Sequence, residues 1–428
     1  MVEQHPPPAG STSGRLALIA VVVIVIAAAF AYTAGWFSPN RLTPAKVVDI
    51  LAPPTGAALG FRRNHAKGVC FTGTFEANGA GTALSKAQMF AAGTYPVTGR
   101  FNLAVADPKT ADGTARVHGL SLRIRTPDAR EWRAAMIDAP FFAVATPQAF
   151  YELQKATARK DDPDAMKRFA AAHPEFGAFG AWAGSAPFTG SYAENRYNGL
   201  NSFIFTNAQG QDRAVRWSFG PAATPTSVPP DELKKRDPDF LAKDITERVA
   251  QSPQRWTMTV TVANPGDPTA DPSKVWPDDR RRVDVGTLTV RKIEPEPNGA
   301  CRDLNFDPTV LPAGMHTSDD PFPAARSAAY SVSTTGAPPK RRTIGAPLRE
   351  PSREQRPTDI HAVATGTALG HGGLHPGDAV RRRRDGLHDQ TRVFDAGLHP
   401  QASGHRDPGA RGAAPHRALA LRRPATAV

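Results

Sequence analysis

The sequence predicts an α+β protein built on a closed antiparallel β-barrel with attached helices. Short segments rich in β-branched and aromatic residues, or alternating between apolar and polar residues, recur along the chain and are separated by turn residues. Helical segments with one charged side lie among them. The hydrophobic fraction of 40% over 428 residues is enough for a sizeable core, and no internal repeat is visible. Many short strands with helices between them suit a closed barrel.

The N-terminal 37 residues predict a membrane anchor. Residues 1–14 are polar and rich in Pro, Ser and Gly, so we expect them to be disordered. Residues 15–37 contain an uncharged apolar run of about the 20 residues that a membrane-spanning helix needs. A secretory signal cleaved after Ala29 or Ala31 is the alternative. Either way, the body of the protein is expected on the periplasmic side of the membrane.

Residues 38–60 form a predicted linker with one amphipathic turn at 47–51. The clearest strand is 116–125, where apolar residues largely alternate with polar or basic ones. The full set of predicted strands is 71–75, 95–105, 116–125, 132–137, 201–205, 214–219, 254–263 and 283–293. Helices are predicted at 86–90 with Ser85 as N-cap, 151–160, 162–172 with Asp162 as N-cap and Pro163 first, and 229–249, while 176–189 is predicted to be a loop.

The net charge of +12 would ordinarily suggest nucleic acid or an anionic membrane as a partner. Residues 331–428 hold about 16 Lys and Arg against about 8 Asp and Glu, so most of the excess lies in this tail. The remainder of the chain is nearly balanced, and no nucleic-acid partner is expected. Of the two cysteines, Cys70 and Cys301, the sequence allows either a disulfide in an oxidising compartment or a small buried residue and an unpaired thiol.

Two short patterns carry the candidate chemistry. His65 stands between the basic pair Arg62-Arg63 and a glycine-punctuated strand that begins after Gly68. Taken alone, such a histidine is typical of a solvated surface residue. Arg326 and Tyr330 have the i, i+4 spacing that places both on one helix face, and spacing alone favours a cation–aromatic pair.

In combination, these segments resemble the catalase superfamily, and above all its small catalase-related peroxidases. The distal segment of that family reads Arg-Val-Val-His-Ala-Lys-Gly, and Arg-x-x-x-Tyr is its proximal signature. Arg100-Phe101 is similar to its Val-Arg-Phe-Ser strand, and Asp138 to Phe142 is similar to its Asn-Thr-Pro-x-Phe-Phe segment. Phe150 matches the family Phe that stands ten residues after that proline. The resemblance covers residues 61–330 and implies a catalase-type barrel core.

The resemblance also implies a haem b cofactor and a role for each matching residue. Tyr330 would be the axial iron ligand, as a phenolate that Arg326 stabilises. Arg62 and Arg100 would bind the haem propionates, since guanidinium groups suit carboxylates. Phe150 would pack against the distal face of the haem, where His65 would move a proton between the oxygens of the peroxide.

The implied activity is a peroxidase that reduces hydrogen or organic peroxides with an external electron donor, with weak catalase activity as an addition. The alternative is a haem-binding carrier or sensor without turnover. Two departures from the family pattern bear on this choice. Ile137 stands where the family has its distal Asn, and Asp138, one position on, should point to the opposite face. Asn102 replaces a family Ser, so we expect His65 to lose its orienting partner.

Residues 331–428 do not resemble a sequence selected for folding, and we expect them to be disordered. Their composition, rich in Arg, Pro, Gly, His and Ala, suggests a frameshift just after Tyr330. A second shifted reading, from about Thr367, resembles the first membrane helix of a b-type di-haem membrane cytochrome. The hypothesis is that an adjacent gene encodes such a cytochrome as the electron donor.

Overall fold

A computed structural model of the chain describes residues 12–35, 38, 41–53, 56, 58 and 60–335. The predictions for residues 1–11 and for the tail beyond 335 lie outside the described residues. Helix α1, Thr12–Thr33, is the one helix of the described part that is long and apolar enough to cross a membrane. Its described side chains are almost all exposed. A signal sequence would meet the same criteria of length and composition.

Strands β1 to β8 form a closed antiparallel barrel. Each strand pairs with the next along the chain, β1 also pairs with β8, and a bridge from Ile137 to Asn198 joins β4 to β5. A short strand β9 adds to β5. The strands are β1 (Gly68–Ala77), β2 (Gly93–Leu103), β3 (His118–Arg125), β4 (Glu131–Ile137), β5 (Tyr197–Thr206), β6 (Asp212–Pro221), β7 (Gln254–Val262), β8 (Arg282–Pro295) and β9 (Met315–Thr317).

The main hydrophobic core fills the barrel. On β2, Val97, Phe101 and Leu103 are buried in this core and belong to one face of the strand, because alternate side chains point the same way. Phe101 lies 4.9 Å from Phe71 and 5.5 Å from Trp256, ring centre to ring centre. The other face of β2, with Arg100 and Asn102, is therefore turned out of the barrel, toward the loops and helices that cover it.

The helices after α1 are α2 (Pro44–Ile50), α3 (Pro147–Ala158), α4 (Ala165–Ala172), α5 (Phe176–Ser185), α6 (Pro230–Lys235), α7 (Phe240–Gln251) and α8 (Pro321–Thr335). Helix α8 contacts α2 and α3. The α+β class and the barrel with attached helices are thus as predicted, and the predicted strands are all present.

Several local predictions were wrong. Residues 176–185 form helix α5 instead of a loop, and the helix predicted at 229–249 is broken into α6 and α7 around Pro238. Asp162 pairs with Arg168 and does not cap α4, which begins at Ala165. Ser85 accepts a hydrogen bond from the Ala87 amide, but only a short 3-10 turn follows.

The two cysteines form a disulfide between β1 and the segment that follows β8, with Cα atoms 5.4 Å apart. Both residues are fully buried and pack with Leu304 and Phe306. The alternative of an unpaired Cys301 is therefore excluded. The bridge ties together parts of the chain that are 231 residues apart.

Candidate active site

His65 lies in the loop that enters β1, and its backbone is in the left-handed region with φ 54°. A bulky residue in this region is uncommon and costs about 1 kcal/mol or more unless its surroundings impose it. The neighbours supply the constraint. The Ala66 amide donates to the Val105 carbonyl at 2.8 Å, and the Lys67 ammonium pairs with Asp112 at 2.7 Å and with Asp239 at 2.8 Å.

The imidazole of His65 is held by Asn102. The Nδ1–H of His65 donates to Oδ1 of Asn102 at 2.6 Å. This contact corrects the expectation that replacing the family Ser by Asn102 would remove the orienting partner, because the longer side chain provides an acceptor of its own. With the proton on Nδ1, the other ring nitrogen, Nε2, keeps its lone pair.

Two glycines leave room for the amide of Asn102 and for the guanidinium beside it. Gly68 and Gly119 flank Asn102 in the sheet, one on each neighbouring strand. A Cβ at Gly119 would lie 2.3 Å from Oδ1 of Asn102, and a Cβ at Gly68 would lie 2.8 Å from Cζ of Arg100. Side chains of directly paired residues share a face of the sheet, so these positions form one surface outside the barrel.

Burial lowers the pKa of His65 to about 4, against the hydrogen bond to Asn102, which raises it. The positive charges of Arg100, Arg326 and Arg62 lower the pKa further. His65 is therefore neutral at neutral pH. All three arginines predicted for the site therefore lie close enough to His65 for their charges to act on it.

Arg62 and Arg100 converge on one carboxylate, that of Glu296. Nε of Arg62 donates to it at 3.1 Å, and a terminal nitrogen of Arg100 donates to its other oxygen at 2.6 Å. Arg100 is only 1% exposed, and burial lowers its pKa. Its Nε is buried and has no hydrogen-bond partner in the described part of the chain.

Arg326 and Tyr330 lie on α8, four residues apart and both half-buried. The helix start is fixed to the barrel by Asp320, which accepts from the Phe322 amide at 2.9 Å and from the Asn201 amide group at 3.0 Å. This is N-capping by an acidic residue before a proline in the first helical position. The side of α8 that carries Ser327 is anchored by a hydrogen bond of 2.7 Å to Asp307.

Phe150 lies on α3 within a second apolar cluster. Its ring centre is 5.7 Å from that of Phe142, which in turn lies 4.9 Å edge-on to Phe322 at the start of α8. The cluster therefore joins α3, the loop after β4 and α8. It places Phe150 among the elements that carry the other predicted residues.

Ile137 and Asn198 continue the surface on which Asn102 lies. In the sheet, Ile137 pairs with Gly119 on one side and with Asn198 on the other. Asp138 is engaged elsewhere. Its carboxylate accepts from the His118 amide at 3.1 Å, and burial raises its pKa to about 7. The outer surface of the sheet near Asn102 is therefore apolar at Ile137.

The described residues fit a porphyrin with acidic side chains. A buried guanidinium nitrogen without a partner is a donor that a carboxylate can use, because leaving it unpaired costs about 1–3 kcal/mol. Basic side chains surround a neutral histidine, and a phenol and an arginine share the nearby helix α8. Sequence reasoning missed Glu296, whose Glu-Pro-Asn turn carries no signal of a role. It also missed the position of Asn198 beside Ile137, where its amide donates to the carbonyls of Asp138 and Ala139 at 3.3 and 3.1 Å.

The family model for catalase matches residues 39–335 of the chain. A catalase-related peroxidase of Synechococcus elongatus is 35% identical over 320 residues, which cover 74% of this chain and 94% of that protein. Another from Mycolicibacterium paratuberculosis is 31% identical over 294 residues, covering 68% and 94%. Mouse catalase is 26% identical, and the match covers 70% of this chain but 60% of the mouse protein.

Solved structures agree in fold. A bacterial catalase superposes with a TM-score of 0.60 at 20% identity, over 72% of this chain and 64% of that one. Catalase A from Saccharomyces cerevisiae gives 0.58 at 19% identity, over 64% and 60%. The chain therefore spans less than two thirds of these larger catalases, and at such identity they show the fold alone. The match to the small relatives is nearly complete in length, and the chain belongs to the catalase family as a catalase-related, haem-dependent peroxidase.

Proposed function

We propose that the protein is a membrane-anchored peroxidase that reduces hydrogen or organic peroxides at haem b, with His65 as the distal acid–base group and Tyr330 as the axial ligand. The observation that carries this proposal is the pairing of His65 with Asn102. It fixes the ring and its proton, and it leaves Nε2 free to accept a proton from the near oxygen of a peroxide and return it to the far one.

The low pKa of His65 supports the same role. A histidine with a pKa of about 4 is neutral at the pH of most cells, which is the form that a general base requires. The positive charges of the arginines that lower this pKa would also attract electron-rich ligands to the site. Ile137 contributes no hydrogen bond, so His65 is the polar group on which proton transfer depends.

Four residues would hold the cofactor beside Tyr330. Arg100, whose Nε has no partner in the described residues, and Arg62 would bind propionates. Phe150 would pack against the distal face, and the charge of Arg326 would stabilise Tyr330 as the iron ligand. Haem ligated by a phenolate would supply iron that is stable in the ferric state and reacts with peroxide.

The electron donor in this proposal is a membrane protein, a b-type di-haem cytochrome encoded next to this gene. Helix α1 supports it, since an anchored peroxidase on the periplasmic side would meet a membrane donor by diffusion in two dimensions. Resequencing the locus tests the genetic part: the proposal requires a shifted frame after Tyr330 and a cytochrome reading frame beyond it, and an unshifted locus without a cytochrome contradicts it.

Peroxide-dependent oxidation of a chromogenic donor by the haem-loaded full-length protein tests the activity. We expect His65→Leu to lower kcat/KM for peroxide by about 100-fold or more, the usual contribution of a positioned acid–base group. His173→Leu is the matched control, since His173 pairs with Glu152 at 2.9 Å on the helices. A wild-type protein that binds haem but oxidises no donor would instead be a carrier or sensor.

A further inference from the structure

The turn Glu296–Asn298, directly after β8, places a carboxylate between the two arginines of the predicted propionate site. The Arg62 and Arg100 contacts engage one oxygen of Glu296 each, at 3.1 and 2.6 Å. The Glu296 side chain is 18% exposed, whereas that of Arg100 is 1% exposed. Glu296 and Arg62, whose side chain is 21% exposed, therefore both lie nearer the solvent than Arg100.

The segment that carries Glu296 is itself fixed to β1. The Cys70–Cys301 disulfide holds it, and Gly299 packs so closely on Cys70 that a Cβ there would lie 2.6 Å from the sulfur. A terminal nitrogen of Arg62 donates to the carbonyls of Cys301 and Leu304 at 2.9 and 3.0 Å. The same short segment therefore supplies four contacts to the two arginines, counting both Glu296 oxygens.

These contacts determine which nitrogen atoms of Arg100 can still donate a hydrogen bond to a ligand. One terminal nitrogen of Arg100 is used by Glu296 and, at 3.3 Å, by the Ala66 carbonyl. The Nε of the same side chain is buried without a partner in the described residues. Because a guanidinium is planar and rigid, fixing one nitrogen fixes the direction in which the other nitrogens point.

We propose that Glu296 is a positioning residue for the cofactor: it holds Arg62 and Arg100 so that the remaining donors of Arg100 receive a carboxylate side chain of the porphyrin. The inference rests on the proposed haem function. The alternative arrangement is competition, in which Glu296 would bind the two arginines only until a porphyrin carboxylate displaced it. The two arrangements predict opposite effects of removing the Glu296 charge.

Haem loss from the full-length holoprotein to excess apomyoglobin measures the effect. We expect Glu296→Gln to accelerate loss about tenfold, as for a lost charge-assisted hydrogen bond. Glu294→Gln is the control, because Glu294 lies two residues earlier, at the end of β8, and bonds to Lys292 at 2.7 Å and to the Ala300 amide at 3.2 Å. It should lose haem at the wild-type rate.

A second cofactor separates positioning from a general structural role. With haem whose two propionates are methyl esters, Glu296→Gln should lose the porphyrin at the wild-type rate, since the arginines then have no carboxylate to bind. Equal acceleration with both porphyrins, no acceleration, or slower loss of natural haem would each overturn the inference. A wild-type protein that fails to bind haem would instead overturn the proposed function, so the two failures are distinguishable.

Discussion

At the residue scale, the amide of Asn102 links the barrel to the proposed acid–base chemistry. Its Oδ1 accepts a hydrogen bond from the Nδ1–H of His65, with 2.6 Å between Nδ1 and Oδ1. The amide also lies over Gly119, where any side chain would collide with it. The sequence showed that Asn102 replaces a smaller residue, but not that the longer side chain would still reach the imidazole. The left-handed backbone of His65 was not predictable either, because no sequence pattern indicates it.

Gly119→Ala should therefore impair the site while leaving the barrel intact. A Cβ at this position would lie 2.3 Å from Oδ1 of Asn102, so the amide must move away from His65. We expect the peroxidase kcat/KM to fall by about tenfold, as the histidine loses its orientation. Gly177→Ala on α5 is the matched control, since nothing lies within 4 Å of a Cβ there. Equal rates for both variants would contradict the role of Asn102.

The pH profile should report the low pKa of His65. Burial and three arginine charges lower it to about 4, so kcat/KM should stay level from pH 7 to about 5 and fall tenfold per unit below about 4. An acid limb near the ordinary value of about 6.5 would contradict this environment.

The effect on stability has a defined sign. The unfolded chain binds a proton at His65 below about pH 6.5, and the folded chain resists it until about 4, so the stability contributed by this residue is lost as pH falls between these values. The free energy of unfolding should therefore fall less between pH 7.5 and pH 4.5 in His65→Leu than in the wild type, which chemical unfolding of both proteins at the two pH values measures.

At the element scale, the strands were predictable because alternation is a strong signal, as in β3. The helix α5 was missed because Gly177, Gly180 and Gly184 lower its helix propensity and its apolar residues show no amphipathic period. Its stability comes from tertiary contacts: Arg116 lies 4.0 Å from the Trp182 ring and donates to the Ala183 carbonyl at 3.1 Å. Such contacts override local propensity and are not visible in sequence.

The disulfide should contribute strongly to the stability of the barrel. Closing a loop of 231 residues restricts the unfolded chain, which is worth about 5 kcal/mol in the chain-entropy account. We expect reductant to lower the Tm of the wild type clearly. The double variant Cys70→Ser/Cys301→Ser should start at the lower Tm and not respond to reductant. A Tm that is the same for all samples would contradict a closed bridge in the folded protein.

At the scale of the whole molecule, the chain joins one apolar helix to a barrel whose proposed site lies on its outer surface. The fold and the family were predictable because the motifs occur in the correct order along the chain. The arrangement around Glu296 was not, because it joins residues 234 positions apart through a turn without a pattern of its own.

Membrane attachment gives a direct test of α1. We expect the full-length protein to remain in the membrane fraction after washing at high salt and alkaline pH, because a helix of 22 residues inserts rather than binding by charge. Recovery in the soluble fraction, with a new N-terminus after Ala29 or Ala31, would show that the segment is a cleaved signal.

The central claim is that Tyr330 ligates haem iron, and the optical spectrum of the haem-loaded full-length protein tests it most directly. We predict a high-spin ferric spectrum of the tyrosinate type that is lost in Tyr330→Phe and kept in the control Tyr151→Phe, on α3. An unchanged spectrum in Tyr330→Phe would contradict the assignment of the axial ligand, and with it the proposed arrangement of the site.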